Sequence, residues 1–85
     1  MTFQVYLKPS ARKEMEGLPD QVLRRVDRAL LQLETEPRPR SAVKLAGVPL
    51  HRLRVGSYRV LYQIDDARQV VEIVGVRHRR EAYRR

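Results

Sequence analysis

Three arginines in the second half of the chain are spaced so that a β-hairpin would bring them together. Two segments with alternating apolar residues are joined by Gly56-Ser57, a two-residue loop with glycine first, as a type II′ turn prefers. Such a loop places Arg54 opposite Arg59, with Arg52 on the same face. Guanidinium groups bind phosphate oxygens in a bidentate fork, whereas like charges opposite each other destabilise a sheet. The pattern predicts a phosphate-binding surface; the alternative is a solvated strand face without a ligand.

A basic tail, predicted over residues 77–85, supplies further candidate residues. They are Arg77, His78, Arg79, Arg80 and Tyr83. His78 is the candidate general acid or base, because imidazole has the unperturbed pKa that suits proton transfer near neutral pH. The alternative is that it is solvated. Tyr83 is suited to stacking on a base or to docking the tail by packing. His51 is predicted on the face opposite the arginines and is assigned no chemistry.

Composition narrows the chemistry that these residues can support. The 85 residues include no Cys, which excludes disulfides, thiol catalysis and Cys-ligated metals. Two separated histidines and scattered acids match no metal-ligand spacing, and there is no phosphate-cradling glycine-rich loop. We therefore expect no metal and no cofactor. No apolar run approaches the roughly 20 residues of a membrane-spanning helix, and no signal peptide is recognised, so we expect a soluble cytoplasmic protein with no membrane partner.

The distribution of charge predicts where an anion would bind. The formal net charge is +8, which favours a polyanionic partner. Residues 1–36 carry six basic and six acidic residues, whereas residues 37–85 carry twelve basic and four acidic ones. The excess positive charge therefore belongs to the C-terminal part, and the anion site is expected there.

Hydropathy periods predict the elements that position these residues. They are a strand over residues 3–8, helices over 10–16 and 19–35, and strands over 50–55, 58–64 and 70–76. Ser10 is predicted as the N-cap of the first helix and Gly17 as its stop. Residues 36–49 are predicted as a connection. We therefore expect one α+β domain over residues 1–85, with a β-α-α-β-β-β antiparallel sheet and a helical hairpin packed on one face.

Several segments spread over nearly the whole chain form a combination typical of one superfamily. They are residues 7–14 (LKPSARKE), Leu18-Pro19, Pro37-Arg38-Pro39, Lys44-Leu45-Ala46-Gly47, residues 52–62 (RLRVGSYRVLY) and residues 78–84 (HRREAYR). In these segments the sequence resembles the RelE-type toxins of the RelE/ParE superfamily. The resemblance implies the toxin component of a type II toxin-antitoxin system, an endoribonuclease that enters the ribosomal A site and cuts the mRNA there.

The resemblance also implies roles for individual residues. The matching catalytic positions fall on Arg59, Arg79 and Tyr83, with His78 as a further candidate for proton transfer. The RNA-binding residues that we expect are Arg52, Arg54, Lys44, Arg77 and Arg80. Relatives of this type have lysines where this chain has Arg52 and Arg54; because arginine is a poor general base, these two are better suited to binding phosphate. The predicted reaction is a metal-free transesterification by the ribose 2′-OH.

Two other functions remain as alternatives, and each differs in its target. A ParE-like branch of the superfamily would inhibit DNA gyrase, and a non-catalytic RNA-binding module would only block the ribosome. The arginine set together with Tyr83 favours RNA cleavage. The expected partners are a cognate acidic antitoxin, ribosomal RNA and mRNA, with a heteromeric toxin-antitoxin complex as the resting state.

Overall fold

The computed structural model describes residues 2–78, which form two helices packed on one face of a five-stranded sheet. In chain order the elements are β1 (Gln4–Leu7), α1 (Pro9–Glu16), α2 (Asp20–Thr35), β2 (Ala42–Lys44), β3 (His51–Val55), β4 (Tyr58–Asp65) and β5 (Val70–His78). The spatial order of the strands is β1-β5-β4-β3-β2. The predicted α+β class, with its helices on one face, is confirmed. Neither helix of residues 2–78 is long and apolar enough to cross a bilayer.

The first helix begins one residue earlier than predicted, and its cap differs. Pro9 occupies the first turn of α1, where its fixed φ suits the helix and its missing N–H would have no helical partner. Lys8 is the N-cap, so the prediction of Ser10 at that position is wrong. The Ser10 hydroxyl instead donates a hydrogen bond to the Val74 carbonyl oxygen (3.1 Å), which ties α1 to β5.

The second helix supplies most of the helical side of the core. Val26, Leu30 and Leu33 lie on one stripe of α2 and are buried, as their spacing predicts. They meet side chains from one face of the sheet and from α1. The buried partners are Ala11, Met15, Leu53, Val60, Tyr62, Val71, Ile73 and Val76. The face of β3, β4 and β5 that carries these apolar residues is therefore the helix face, and the alternating residues point to the opposite face.

The sheet is mixed, because β1 pairs with β5 in parallel while the other three strand pairs are antiparallel. The expectation of a wholly antiparallel sheet is corrected in this one pair. Alternation of Phe3, Val5 and Leu7 reports which side chains share a face, but it contains no information on the direction of the neighbouring strand. The long connection through both helices permits a parallel pairing, which a short hairpin would not.

Two further differences concern the ends of the sheet. Residues Ala42–Lys44, predicted as part of a connection, form the short edge strand β2 against β3. Three residues are too few to show a period of two, so pairing with β3 rather than local pattern defines this strand. β5 continues to His78, so Arg77 and His78 belong to a strand and not to a basic tail.

The hairpin between β3 and β4 is formed as predicted. Val55 pairs with Tyr58 across Gly56-Ser57, and Gly56 has a φ of +60°. Ser57 is not among the residues of positive φ, which agrees with a type II′ turn and excludes type I′. The register of the whole hairpin follows from this turn, including the pairing of Arg54 with Arg59.

The connection after α2 is fastened to the end of β4. The buried Tyr62 hydroxyl donates a hydrogen bond to the Pro37 carbonyl oxygen (2.8 Å), and burial raises the pKa of Tyr62 to about 12. Next to it, Arg38 makes a bidentate contact with Asp66 at 3.0 and 2.7 Å. The guanidinium group holds the pKa of Asp66 below its usual value. These contacts define the path of the proline-rich segment.

Candidate nucleic-acid interface

Three arginines stand side by side on neighbouring strands. Arg54 of β3 pairs with Arg59 of β4, and Arg59 pairs with Arg77 of β5. We call these three residues the arginine row. Adjacent strands lie about 4.8 Å apart, so the row extends about 10 Å across the sheet. Since the preceding or following residue of each strand is buried beneath the helices, the row lies on the opposite face. Arg52 shares this face, two residues before Arg54, as predicted.

The members of the row differ in exposure. Arg54 is exposed and Arg77 is half-buried, whereas Arg59 is only 4% exposed. Within residues 2–78, Arg59 is the one charged residue that is buried. A guanidinium group stays protonated at physiological pH, so the centre of the row carries a fixed positive charge. Arg52 is half-buried and extends the positive surface along β3.

A carboxylate from α1 positions the outer member of the row. Glu14 accepts two hydrogen bonds, from the Val76 backbone N–H (2.9 Å) and from Arg77 Nε–H (3.1 Å). A Cβ atom on the neighbouring Gly75 would lie 3.2 Å from Glu14 Oε1 and 3.3 Å from Arg77 Nε, so a side chain there would press on this ion pair. The sequence does not predict this role of Glu14. It is far from Arg77 in the chain, and no local pattern signals the contact.

His78 does not join the row. It pairs with Tyr58, and the two rings make an edge-to-face contact with centroids 5.3 Å apart. Because it follows Arg77 in the same strand, its side chain leaves the sheet on the face opposite the arginines. The structure therefore separates the predicted proton-transfer residue from Arg59 by the thickness of the sheet.

Lys44 is likewise on the other face from Arg52. It pairs with His51, whereas Val43 pairs with Arg52, so the predicted RNA-binding lysine is not brought into the arginine surface. The His51 ring stacks on Tyr62 with centroids 5.5 Å apart. Burial lowers the pKa of His51, and the positive charges of Arg38 and Lys44 lower it further. His51 thus lies in a packed, positively charged environment at the helix face.

Three predicted residues, Arg79, Arg80 and Tyr83, lie outside residues 2–78, and their roles stay predictions from the sequence. Within the part of the chain that the structure describes, no group of three or more histidine or carboxylate side chains is placed to hold a metal ion. The described site is therefore a surface of guanidinium groups, with one carboxylate that fixes its outer member.

Comparison with known proteins gives one consistent family. The family described as the ParE toxin of type II toxin-antitoxin systems matches residues 5–83. Toxin RelG of Mycobacterium tuberculosis is 36% identical over an alignment of 93 positions, which covers 100% of both chains.

Solved structures agree with this family. A chain of the Mycobacterium tuberculosis RelBE2 toxin-antitoxin complex is 30% identical with a TM-score of 0.81, covering 92% of this chain and 99% of that one. A chain of the archaeal RelE-RelB complex from Pyrococcus horikoshii is 33% identical with a TM-score of 0.83, covering 93% of this chain and 97% of that one. Sequence and fold thus agree over nearly the whole length, and the chain belongs to the RelE/ParE superfamily as a RelE-type toxin of a type II toxin-antitoxin system.

Proposed function

We propose that this toxin is a ribosome-dependent endoribonuclease that cuts mRNA in the ribosomal A site and so inhibits translation. The observation that carries the proposal is the arginine row, with a buried guanidinium group at its centre and an exposed one at its edge. Like charges opposite one another destabilise a sheet, and Glu14 pairs with Arg77 at one end of the row. A chain of phosphodiesters offsets that repulsion, and guanidinium groups match phosphate oxygens in a bidentate fork.

The proposed reaction is an intramolecular transesterification. The ribose 2′-oxygen forms a bond to the adjacent phosphorus as its proton leaves, and the bond from phosphorus to the 5′-oxygen breaks. The 5′-oxygen takes up a proton, which leaves a 2′,3′-cyclic phosphate and a free 5′-OH. Arg59 and Arg79 stabilise the charge that develops on the phosphoryl oxygens, a contribution of about 3 to 4 kcal/mol for each such donor. Guanidinium groups thereby supply the positive charge for the reaction.

The remaining residues bind and orient the RNA or move protons. Arg52 and Arg54, more accessible than Arg59, bind phosphates beside the reacting one. Tyr83 stacks on the base or orients the reacting nucleotide. His78 is the group whose unperturbed pKa best suits proton transfer. Its contact with Tyr58 places it away from the arginine row, so its role is tested separately from that of the arginines.

We also propose that an acidic antitoxin covers the arginine surface in the resting state, in a heteromeric complex. The solved relatives include complexes of a RelE-type toxin with its RelB antitoxin. The net charge of +8 and the like charges of the row favour an acidic segment as partner. Binding to the folded toxin alone would also stabilise its small domain by mass action.

Primer extension on a defined mRNA, with and without programmed ribosomes, tests the proposed activity. We expect cuts at A-site codons only when ribosomes are present. Arg59→Ala should slow cleavage by about 100- to 1,000-fold, the usual effect of removing one oxyanion donor. Because Arg59 is buried, Arg54→Gln at the exposed edge serves as a second variant, and Arg24→Gln on the exposed surface of α2 is the control with the same change in charge.

The same preparation should be tested for inhibition of gyrase supercoiling, because the matching family is described as the ParE toxin. Intact mRNA together with inhibited gyrase would replace the proposal by gyrase poisoning. Ribosome binding without cleavage would instead identify a non-catalytic module.

An Arg59→Ala variant that cuts mRNA as fast as the wild type would reject the proposed chemistry. A His78→Gln variant that stays folded but cuts mRNA more slowly would support proton transfer by His78.

A further inference from the structure

A second basic surface lies between α2 and the hairpin of β3 and β4. It is an open cavity of about 250 Å³, and its polar lining residues are Arg25, Arg28, Gln32, Ser41 and Arg54. We call it the basic cleft. Arg54 also belongs to the arginine row, so the two positive surfaces share one residue and are continuous around the edge of β3.

The cleft exists because the edge strand β2 is short. β2 pairs with β3 only from His51 to Leu53, so the edge of β3 is left without a neighbouring strand at Arg54. Arg25 and Arg28 are three residues apart on α2 and therefore lie on the same side of the helix. The Arg25 guanidinium group lies against the turn, since a Cβ atom on Gly56 would be only 3.2 Å from Arg25 Nη1.

The three guanidinium groups of the cleft have no carboxylate partner within 4.0 Å among residues 2–78. The ion pairs found there join Lys8 to Glu72, Arg38 to Asp66 and Arg77 to Glu14. Three positive charges around one cavity repel one another, and an anion in the cavity would relieve that repulsion. The side chains of Gln32 and Ser41 add neutral hydrogen-bond donors at the same place.

We propose that the basic cleft binds a phosphodiester group of single-stranded RNA, adjacent to the stretch of RNA that lies on the arginine row. This inference rests on the proposed function, since it takes RNA as the ligand. Single-stranded RNA has a phosphate at every nucleotide, and the row and the cleft offer guanidinium groups in a continuous series from Arg77 through Arg59 and Arg54 to Arg25. The exposed Arg25, Arg28 and Arg54 can bind phosphate oxygens in a bidentate fork.

Binding of a labelled, 2′-O-methylated RNA oligonucleotide, followed by fluorescence anisotropy over a range of salt concentrations, tests the cleft. The test variant is Arg25→Gln with Arg28→Gln, and the matched control is Arg12→Gln with Arg24→Gln. Both double variants remove two positive charges, but the control residues are exposed and do not line the cleft. A third variant, Arg25→Lys with Arg28→Lys, retains the charge and removes the fork.

We expect the Gln variant of the cleft to bind RNA about tenfold more weakly than the control at low salt. The slope of log K against log salt concentration should also become less steep by about 0.7, because each phosphate contact in a single strand contributes about 0.7. The Lys variant should bind with intermediate affinity. Thermal unfolding of each variant confirms that it is folded.

Three outcomes would overturn the proposal. The first is an equal loss of RNA affinity in the cleft variant and the control, which would report net charge alone. The second is no measurable RNA binding by the wild type. The third is that the cleft variant binds an oligoglutamate more weakly but binds RNA as the wild type does. The last outcome would assign the cleft to an acidic polypeptide. RNA binding that depends on the cleft, in a protein that cuts no mRNA on ribosomes, would reject the proposed activity and leave this inference standing.

Discussion

Arg54 and Arg59 face each other in one register pair, yet their surroundings differ. Arg54 is exposed at the open edge of β3, while Arg59 is 4% exposed in the central strand β4. The sequence predicts that both lie on one face, because alternation and the two-residue turn determine the direction of each side chain. It does not predict the burial of Arg59, because alternation assigns a side chain to one face of the sheet but contains no information on how exposed that side chain is. We infer that the exposed Arg54 side chain can adjust its position to a ligand, whereas the buried Arg59 side chain keeps its position.

Glu14 provides a test at the scale of a single residue. Glu14→Ala should lower the free energy of unfolding by about 1 to 3 kcal/mol, because the part-buried Val76 N–H loses its acceptor. Glu14→Gln keeps an oxygen for that N–H and loses only the charge on the partly exposed pair with Arg77, so its effect should be well under 1 kcal/mol. Urea unfolding measures both, with Glu16→Ala as the exposed control on the same helix. Equal losses for Ala and Gln would show that the ion pair, and not the acceptor, stabilises this contact.

The elements of the fold differ in how much local sequence specifies them. The long helix α2 and the hairpin of β3 and β4 are predicted closely, since a 3.6-residue period and a glycine-led turn are strong local signals. The edge strand β2 and the parallel pairing of β1 with β5 are not, because both are defined by a neighbouring strand. The basic cleft lies where the short β2 leaves the edge of β3 open, so the sequence does not predict it either.

Alanine substitutions at two glycines distinguish the effect of backbone strain from the effect of packing. Gly56 and Gly47 both have positive φ, +60° and +78°, so alanine at either position should cost about 1 to 2 kcal/mol of stability. A Cβ atom at Gly47 would have no atom within 4 Å, whereas one at Gly56 would lie 3.2 Å from the Arg25 guanidinium group. Thermal unfolding should show similar losses, while only Gly56→Ala should also weaken RNA binding by displacing Arg25. Equal RNA affinities for the two variants would contradict this placement of Arg25.

At the scale of the whole molecule, the charge count along the chain and the charge distribution in space differ. The acidic and basic residues of residues 1–36 cancel in number, so a charge count along the chain places the anion site in residues 37–85 alone. In the folded chain Arg25 and Arg28 of α2 join Arg54 in the cleft, with none of their carboxylate neighbours in sequence within 4.0 Å. A count of charges ignores which side of a helix each residue occupies. The folded chain therefore separates basic residues from acidic residues that are close to them in sequence.

The stability of the whole fold should depend on pH at the alkaline end. An unfolded tyrosine ionises near pH 10, whereas burial raises the pKa of Tyr62 to about 12. The unfolded chain therefore loses this proton first, and the free energy of unfolding should fall by about 2 to 3 kcal/mol as the pH rises from 10 to 12. Tyr62→Phe should reduce that slope, at a cost near neutral pH of about 1 to 3 kcal/mol for the lost hydrogen bond to Pro37. Denaturant unfolding at several pH values measures both effects; an unchanged slope would contradict the assignment to Tyr62.

The pairing of β1 with β5 affects how the chain folds during its synthesis. Gln4 pairs with Val70, so β1 cannot pair with β5 until residue 70 has emerged from the ribosome. Contacts so distant in sequence close late in folding. The arginine row is completed by the same strand, because Arg77 is its last member to be translated. A nascent chain that stops before Arg77 therefore lacks the full row, and the surface that we propose for RNA binding forms only after β5 has been translated.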